Sequence, residues 1–527
     1  MKGRNLAVQG ENKGKILWVD DEIELLRPHI LFLESKGFAV TPVANAEDAI
    51  ELIRRQDFDL VLLDEMLNGM DGLSALSRMK ELKPSLPVVM VTKSEEESLM
   101  EDAIGAKISD YLTKPVNPSQ ILLICKKFLE GRKIESARLS RDYVAEFAQI
   151  ASVVAASPGW REWMNLHLRL SQWEVELDQH PDLGLRQTLA DQRRSCNIEF
   201  GRFIEANYPS WMRDGDRPPL SVDVVKTFLA PLLKVGRNTV FMVIDNLRLD
   251  QWLVIEPMLY PYFHISADYY YSVLPTATPY SRNAIFSGLF PVELSNLFPD
   301  FWLKGQDDEQ SQNRNERQLL DHQLQRLGVR LRSEPKYIKI LDLEEARNVE
   351  KTARSLARLP LVSIVVNFVD ILAHSRSDSE VLKEITVDEP AYRSLTKAWF
   401  EHSHIFRALQ ELAAAGAAVV LTSDHGSIRV TRGAKVIGDR ETSTNLRYKF
   451  GRSLKVDPKN AILVRNPATF KLPPRGLNTD YLIAKEDFYF VYPTNYHHYL
   501  SYYRDSLQHG GASMEEMILP VMRLDPK

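Results

Sequence analysis

The sequence predicts a multidomain α/β protein in which a helical segment separates two sheet-containing regions. Three observations carry that reading. Apolar strand patterns alternate with amphipathic helical ones over residues 14–130, and strands return from about 221 to the end. Between them, 131–220 shows helical periodicity alone. At 527 residues the chain is also longer than one hydrophobic core organises. Its 44% hydrophobic and 26% charged residues are those of a globular protein, and a net charge of −5 exerts no bulk pull toward nucleic acid or membrane. Residues 1–13 form a polar extension without the apolar core of a signal peptide. No run of about 18 apolar residues occurs, so a cytoplasmic protein without a membrane span is expected. Cys125 and Cys196 are too few for a disulfide framework or a cysteine zinc site.

The first region reads strand by strand. "KILWVDD" is a strand, 22–36 a helix with Gly37 beyond it, "FAVTPV" a second strand and "AEDAIELIRR" a second helix. "DLVLLDEM", a helix near 73–82, "PVVMVT", a further helix, "ISDYLTKP" and a last helix complete five alternations, which imply a doubly wound parallel sheet. Asp20, Asp21 and Asp64 then fall at strand C-termini, where they converge. Three carboxylates in one place repel unless a cation neutralises them, which points to a hard, oxygen-seeking ion such as Mg²⁺. Thr92 and Lys114 end later strands, where a hydroxyl and an ammonium meet a phosphoryl group. Lys114 precedes Pro115, a natural site for a cis bond.

On "WVDDE", "LLDEMLNGMDG", "VTKS" and "YLTKP", residues 14–130 resemble the flavodoxin-like receiver domain of two-component response regulators. The resemblance implies Asp64 as phosphoacceptor, with Asp20, Asp21 and the Met66 carbonyl around Mg²⁺. It also implies Thr92 and Tyr111 as a switch pair, Lys114 as the phosphate contact, and a histidine kinase as partner. Leu67 departs from the pattern, since the family usually has proline there.

The middle segment, 131–220, carries three long helical patterns, broken at Pro158-Gly159 and at Pro181. They are expected to form a small bundle that transmits between domains, with a dimer contact. The helices are too long for a helix-turn-helix and no short basic recognition helix stands out, so duplex DNA binding is not expected. "RDGDRPPLSVD", 213–223, is the clearest linker.

In 221–527 three apolar strands each end at an aspartate: "FMVIDN" at Asp245, "IVVNFVDILAH" at Asp370 with His374 four residues later, and "VVLTSDHG" at Asp424 and His425. His509 precedes a double glycine in "LQHGGASMEEMILP". This mixed nitrogen and oxygen set suits Zn²⁺ where thiolates are absent, and its size suits two ions. In "LPTATPYSRNAIFSG", Pro279 opens a helix and makes Thr278 its expected N-cap, with backbone amides facing any anion at the hydroxyl. A metal pair lowers the pKa of such a hydroxyl and makes it a nucleophile.

These motifs resemble the PglZ branch of the alkaline phosphatase superfamily, which implies an α/β/α fold over 221–527. The resemblance groups Asp370, His374 and His509 at one zinc, and Asp245, Asp424, His425 and Thr278 at the other. It selects Thr278 over Thr276 as the catalytic nucleophile by its spacing to Ser287-Gly288. The branch implies a phosphodiesterase acting on cyclic or linear oligonucleotides. The order receiver, helical linker, PglZ domain resembles response regulators of the Bacteroidetes type IX secretion system. That implies a phosphorylation-dependent homodimer. The alternative is a signalling scaffold with a structural metal site that binds a sigma factor or secretion component. Arg282, Asn283, His497 and His498 are candidate substrate contacts; His402 and His404 read as structural or surface. "KGQDDEQSQNRNERQ", 304–318, reads as a solvated loop or helix face.

Overall fold

In the computed structural model, which describes residues 13–93, 108–213, 216–302, 313–439, 442–476 and 478–527, the chain divides into two units, Met1–Asp142 and Tyr143–Lys527.

The first unit is a parallel sheet of β1 (Lys15–Val19), β2 (Ala39–Val43), β3 (Leu60–Asp64), β4 (Val88–Thr92) and β5 (Asp110–Thr113), in the order β2–β1–β3–β4–β5. Its strands are apolar runs because helices cover both faces. Leu17, Val19, Val61 and Leu63 pack with Ile50 and Leu76 of α2 (Ala46–Arg55) and α3 (Gly72–Leu82). Ile16, Trp18, Leu60 and Leu62 pack on the other side with Leu33 of α1 (Arg27–Ser35) and Ile121 of α4 (Pro118–Cys125). Asn45, Asp71 and Asn117 cap three of these helices through side-chain oxygens that accept backbone N–H bonds of 2.8 Å. The strand order reverses between β1 and β3, which sets their C-terminal ends side by side. The helix expected between β4 and β5 lies outside the described residues. The Lys114–Pro115 peptide is cis.

The three long helices occur where the periodicity places them: α5 (Gly131–Ala155), α6 (Trp160–Gln179) and α7 (Arg186–Trp211). They do not form a free-standing bundle. Trp163, Leu170, Phe200 and Tyr208 share one core with Phe241, Val243 and Tyr271 of the C-terminal sheet. In an isolated three-helix bundle the helices would cover one another's apolar stripes; here the sheet face shares in that.

That sheet has six strands: β6 (Thr239–Ile244), β7 (Phe263–Tyr271), β8 (Lys336–Ile340), β9 (Leu361–Val366), β10 (Ala418–Thr422) and β11 (Ile518–Pro526), ordered β7–β11–β10–β6–β9–β8. The strands β8, β9, β6 and β10 are mutually parallel, and β11 runs antiparallel to both its neighbours. Alternate residues divide between the faces: Phe241 and Val243 join the core that holds α6 and α7. Val240, Met242 and Ile244 pack instead with α8 (Leu249–Ile255), whose partners on that face include Val349 and Leu409. Further helices are α9 (Thr278–Ser287), α10 (Glu316–Arg326), α11 (Leu343–Leu356), α12 (Phe368–Asp378), α13 (Glu389–His402) and α14 (His404–Ala414). A small antiparallel sheet of 448–451, 461–464 and 480–484 is inserted between β10 and β11.

Two boundaries differ from the sequence expectation. The strand expected to run to Asp370 stops at Val366, and Asp370 lies in the first turn of α12. A helix is needed there because only helical i, i+4 spacing puts Asp370 and His374 on one face. The cap of α9 is Ala277, in extended conformation, so Thr278 is the first helical residue rather than the N-cap.

Candidate metal and catalytic sites

In the first unit the carboxylates of Asp20, Asp21 and Asp64 bring one ligand atom each to within 4.8 Å of one another. The Lys114 ammonium donates to Asp20 Oδ2 at 2.9 Å and to Asp64 Oδ2 at 2.7 Å. Burial raises the Asp64 pKa, with Lys114 opposing and the Asp20 charge adding to the shift. Burial pulls Lys114 down, but its bonds to Asp64 and Asp20 outweigh that and leave its pKa raised. Met66 donates its backbone N–H to Asp64 Oδ1 at 3.4 Å while its side chain stands exposed. Thr92 is buried and its hydroxyl donates to Glu65; Tyr111 is 45% exposed on the neighbouring strand. Glu65 and Asn68, whose amide donates to Asp21 Oδ2 at 2.9 Å, belong to this pocket and the sequence reading missed them. Both follow Asp64 closely, which was the available signal.

The C-terminal unit brings together every metal-capable residue singled out there. Among the described residues two further three-ligand groups occur: Asp370, His374 and His509, and Asp245, Asp424 and His425. Asp245 and Asp424 follow the ends of the paired strands β6 and β10, and Asp370 follows β9 on the other side of β6. His509 enters on the loop before β11. The two groups adjoin, since the His425 and His509 rings stack with centroids 4.2 Å apart. His374 Nε2 lies 3.1 Å from His509 Nε2 and 3.4 Å from Asp370 Oδ1; His425 Nε2 lies 3.5 Å from Asp245 Oδ1.

The donor chemistry fits metal ions. Asp245 Oδ1, Asp424 Oδ2 and His509 Nδ1 are buried without a hydrogen-bond partner, a costly state for isolated polar atoms. Two imidazole nitrogens at 3.1 Å with carboxylates close by suit a cation that both can ligate. Burial drives the Asp245 and Asp424 carboxyls above their ordinary range, against the pull of Arg282. Burial and the nearby His425 hold His509 well below its usual value, so it is neutral and can ligate.

The two threonines of "LPTATP" separate cleanly. The Thr276 hydroxyl donates to the Gly511 carbonyl at 2.7 Å and accepts from Gly510 N–H at 3.1 Å, which tethers the His509 loop. The Thr278 hydroxyl lies 2.9 Å from His425 Nε2, within the second ligand group. Arg282 stands one helical turn on and is 2% exposed; it donates to Asp245 Oδ2 at 2.8 Å and pairs with Glu316 at 2.9 Å. Its guanidinium therefore braces the Asp245 carboxylate. Asn283 donates to the Pro279 carbonyl at 3.0 Å and bonds Asn313, bracing α9.

Glu316 and Asn313 correct the expectation of a solvated stretch at 304–318, most of which lies outside the described residues. Both are buried, and Asn313 also bonds the Thr278 carbonyl at 3.3 Å. The signal lost in sequence was the pairing of Glu316 with an arginine in another helix. His497 and His498 lie on an exposed surface helix, Tyr496–Tyr503, and their ring contacts are to neighbouring tyrosines. His404 pairs with Glu350 and His402 is exposed, as expected of structural and surface residues.

A turn at 513–517 ties these ligands to α7. Asn197 donates to Glu515 Oε2 at 3.0 Å and accepts from Met514 N–H at 2.9 Å, and Arg193 donates to Glu515 Oε1 at 3.1 Å. Next to it, Glu516 accepts from Gly511 N–H at 2.8 Å, and its carbonyl accepts from Gly426 N–H at 3.2 Å. A side chain at 426 would collide with the Glu515 carbonyl at 2.0 Å, so only glycine allows the approach. The turn thus holds the residue after His425 and the loop after His509.

Comparison with known proteins follows the same division. The model of the PglZ alkaline phosphatase-like domain of BREX systems matches residues 224–524, more than half of the chain. The response regulator receiver model matches 16–126, and the linker domain of PorX response regulators matches 133–212. The chain belongs to the PglZ family, in a PorX-type response regulator. Receiver and PglZ domain are thus fused in one polypeptide, with an α/β sheet in each. Curated relatives match over about a quarter of the chain. The alginate biosynthesis regulator AlgB of Pseudomonas syringae is 43% identical over 129 residues, 24% of this chain and 29% of that protein. ResD of Bacillus subtilis is 34% identical over 118 residues, 22% of this chain and 49% of that protein. The chain thus spans less than half the length of either relative. Among solved structures, a receiver from Methanospirillum hungatei is 30% identical (TM-score 0.22, 23% of this chain, 97% of that one). The NtrX receiver of Brucella abortus is 31% identical (TM-score 0.21, 22% and 98%). Among the described residues no helix is long and apolar enough to cross a membrane.

Proposed function

We propose that this protein is a cytoplasmic response regulator whose PglZ domain is a two-zinc phosphodiesterase acting on cyclic or linear oligonucleotides. The observation that supports it most is the Thr278 hydroxyl 2.9 Å from His425 Nε2, beside two adjoining nitrogen–oxygen ligand groups. Asp370, His374 and His509 would hold one zinc; Asp245, Asp424, His425 and Thr278 the other. Such ions, when bound, acidify a hydroxyl or water and neutralise charge growing on phosphoryl oxygens. The chain supplies the rest. Thr278 Oγ1 attacks phosphorus in line, the bond to the leaving oxygen breaks, and water then cleaves the threonine ester. Arg282 fixes the Asp245 carboxylate, and Thr278 lies at the positive, N-terminal end of the α9 dipole, which favours a phosphate there.

In the receiver, Asp64 takes the phosphoryl group from a histidine kinase, with Asp20, Asp21 and the Met66 carbonyl holding Mg²⁺ and Lys114 contacting the phosphate. Thr92 and Tyr111 reposition in response, and the protein dimerises and regulates type IX secretion. A hydrolysis screen tests this: zinc-loaded protein is offered cyclic dinucleotides, linear oligonucleotides and monoesters. Diester cleavage that falls at least about 10³-fold in Thr278→Ala is the expected result. Signalling that survives Thr278→Ala without hydrolysis would favour the scaffold reading, in which a sigma factor or secretion component docks on a structural metal site.

A further inference from the structure

An apolar groove opens beside the metal ligands at the C-terminal ends of β8 and β9. It has a volume of about 610 Å³, within the range of small-molecule pockets. Ile340, Val366 and Ile405 form its buried floor. The Phe368 and Trp399 rings form one wall, stacked with centroids 4.2 Å apart and planes within 4°. Around the rim Leu341, Leu343 and Ile371 are 55%, 64% and 45% exposed, a concentration of large apolar side chains at one hollow.

Charge restricts what such a groove accepts. Asp342 is the only lining residue with a fixed charge, and its carboxylate caps α11 by accepting from Glu345 N–H at 2.9 Å. His402, Ser403 and His404 also line it, His404 being paired with Glu350, and the rest of the lining is apolar, which suits a flat, largely apolar group. The groove also adjoins segments that carry the metal-capable residues, since Ile371 directly follows Asp370. Its floor residue Val366 accepts a 2.9 Å hydrogen bond from Asp245 N–H, one strand spacing (about 5 Å) from a ligand. On α12, Ile371 at the rim is the i, i+3 neighbour of His374, whose side chain is 46% exposed. Ile371 thus stands at the edge of the groove on the same stretch of α12 that carries Asp370 and His374.

We propose that this groove is a nucleobase subsite, which receives the base next to the scissile phosphate and extends the Phe368–Trp399 stack. The inference rests on the phosphodiesterase reading and sharpens it: the substrate is a diester with a base on at least one flank. Bases stack on aromatic faces irrespective of sequence, so the subsite would tolerate all four.

The test compares a linear dinucleotide with the same molecule made abasic at one residue, using zinc-loaded full-length protein. Trp399→Ala removes the wall, and Leu343→Asp at the exposed rim charges the groove without touching the core. The expected result is a fall of about 10-fold or more in the dinucleotide-to-abasic ratio of kcat/KM for both variants. Calorimetric binding of the dinucleotide to Thr278→Ala protein should weaken to the same degree when either change is added. An unchanged ratio and unchanged binding overturn the subsite while leaving the phosphodiesterase intact. Failure of the unsubstituted protein to cleave either diester is a different result, which overturns the phosphodiesterase reading and the subsite with it.

Discussion

Thr278 and Thr276, two residues apart, differ in what their hydroxyls can still do. The Thr276 hydroxyl is committed on both sides to the Gly510 and Gly511 backbone, whereas that of Thr278 lies against His425. Thr276→Ala should therefore cost about 1 kcal/mol in stability, read by denaturant titration, and loosen the His509 loop. Arg282 and Glu316 act one step further out. Glu316→Gln removes the charge that offsets a buried guanidinium, which is then free to pull harder on Asp245. Zinc affinity should fall about 10- to 100-fold, measured by competition with a chelator; unaltered affinity would show that Arg282 does not tune the ligand. The aspartates and histidines were legible in sequence because each follows an apolar strand or precedes a glycine pair. Glu316 was not, because its partner lies in α9 and a polar helix gives no sign of burial.

The linker helices matter at the scale of elements. Their lengths were legible from periodicity and proline breaks. Their docking was not, because an apolar helical stripe does not say whether a helix or a sheet will cover it. In the structure α7 is tied through Glu515 to the turn that holds Gly426 and the loop after His509. Arg193→Ala leaves Glu515 buried beside Asn197 without its cation, a change that costs about 3–5 kcal/mol in the stability of the C-terminal unit. His167, packed against Arg193, gives this interface a pH dependence. Burial, aided by Arg193, pushes the His167 pKa down to about 3. Below an unfolded pKa of about 6.5 the unfolded chain binds a proton that the folded chain refuses, so stability falls as pH drops from there toward 3. His167→Gln should flatten that slope by up to one proton, which urea midpoints across the pH range would read.

For the whole molecule, the receiver and the PglZ domain were both recognisable from short motifs because their chemistry sits at strand ends, where order in sequence maps directly onto order in the sheet. Asp64 control is tested by exposing the protein to a small-molecule phosphoryl donor with Mg²⁺. Uptake should be abolished in Asp64→Asn, and light scattering should register dimerisation only in the protein that keeps Asp64. The central claim, that Thr278 is a nucleophile at a two-metal site, is tested most directly by acid-quenching zinc-loaded protein during turnover of a linear dinucleotide and sequencing its peptides by mass spectrometry. A phosphoryl or nucleotidyl ester on Thr278, absent from Thr278→Ala, is the predicted result. Full hydrolysis by Thr278→Ala, with no adduct on the unsubstituted protein, would contradict it.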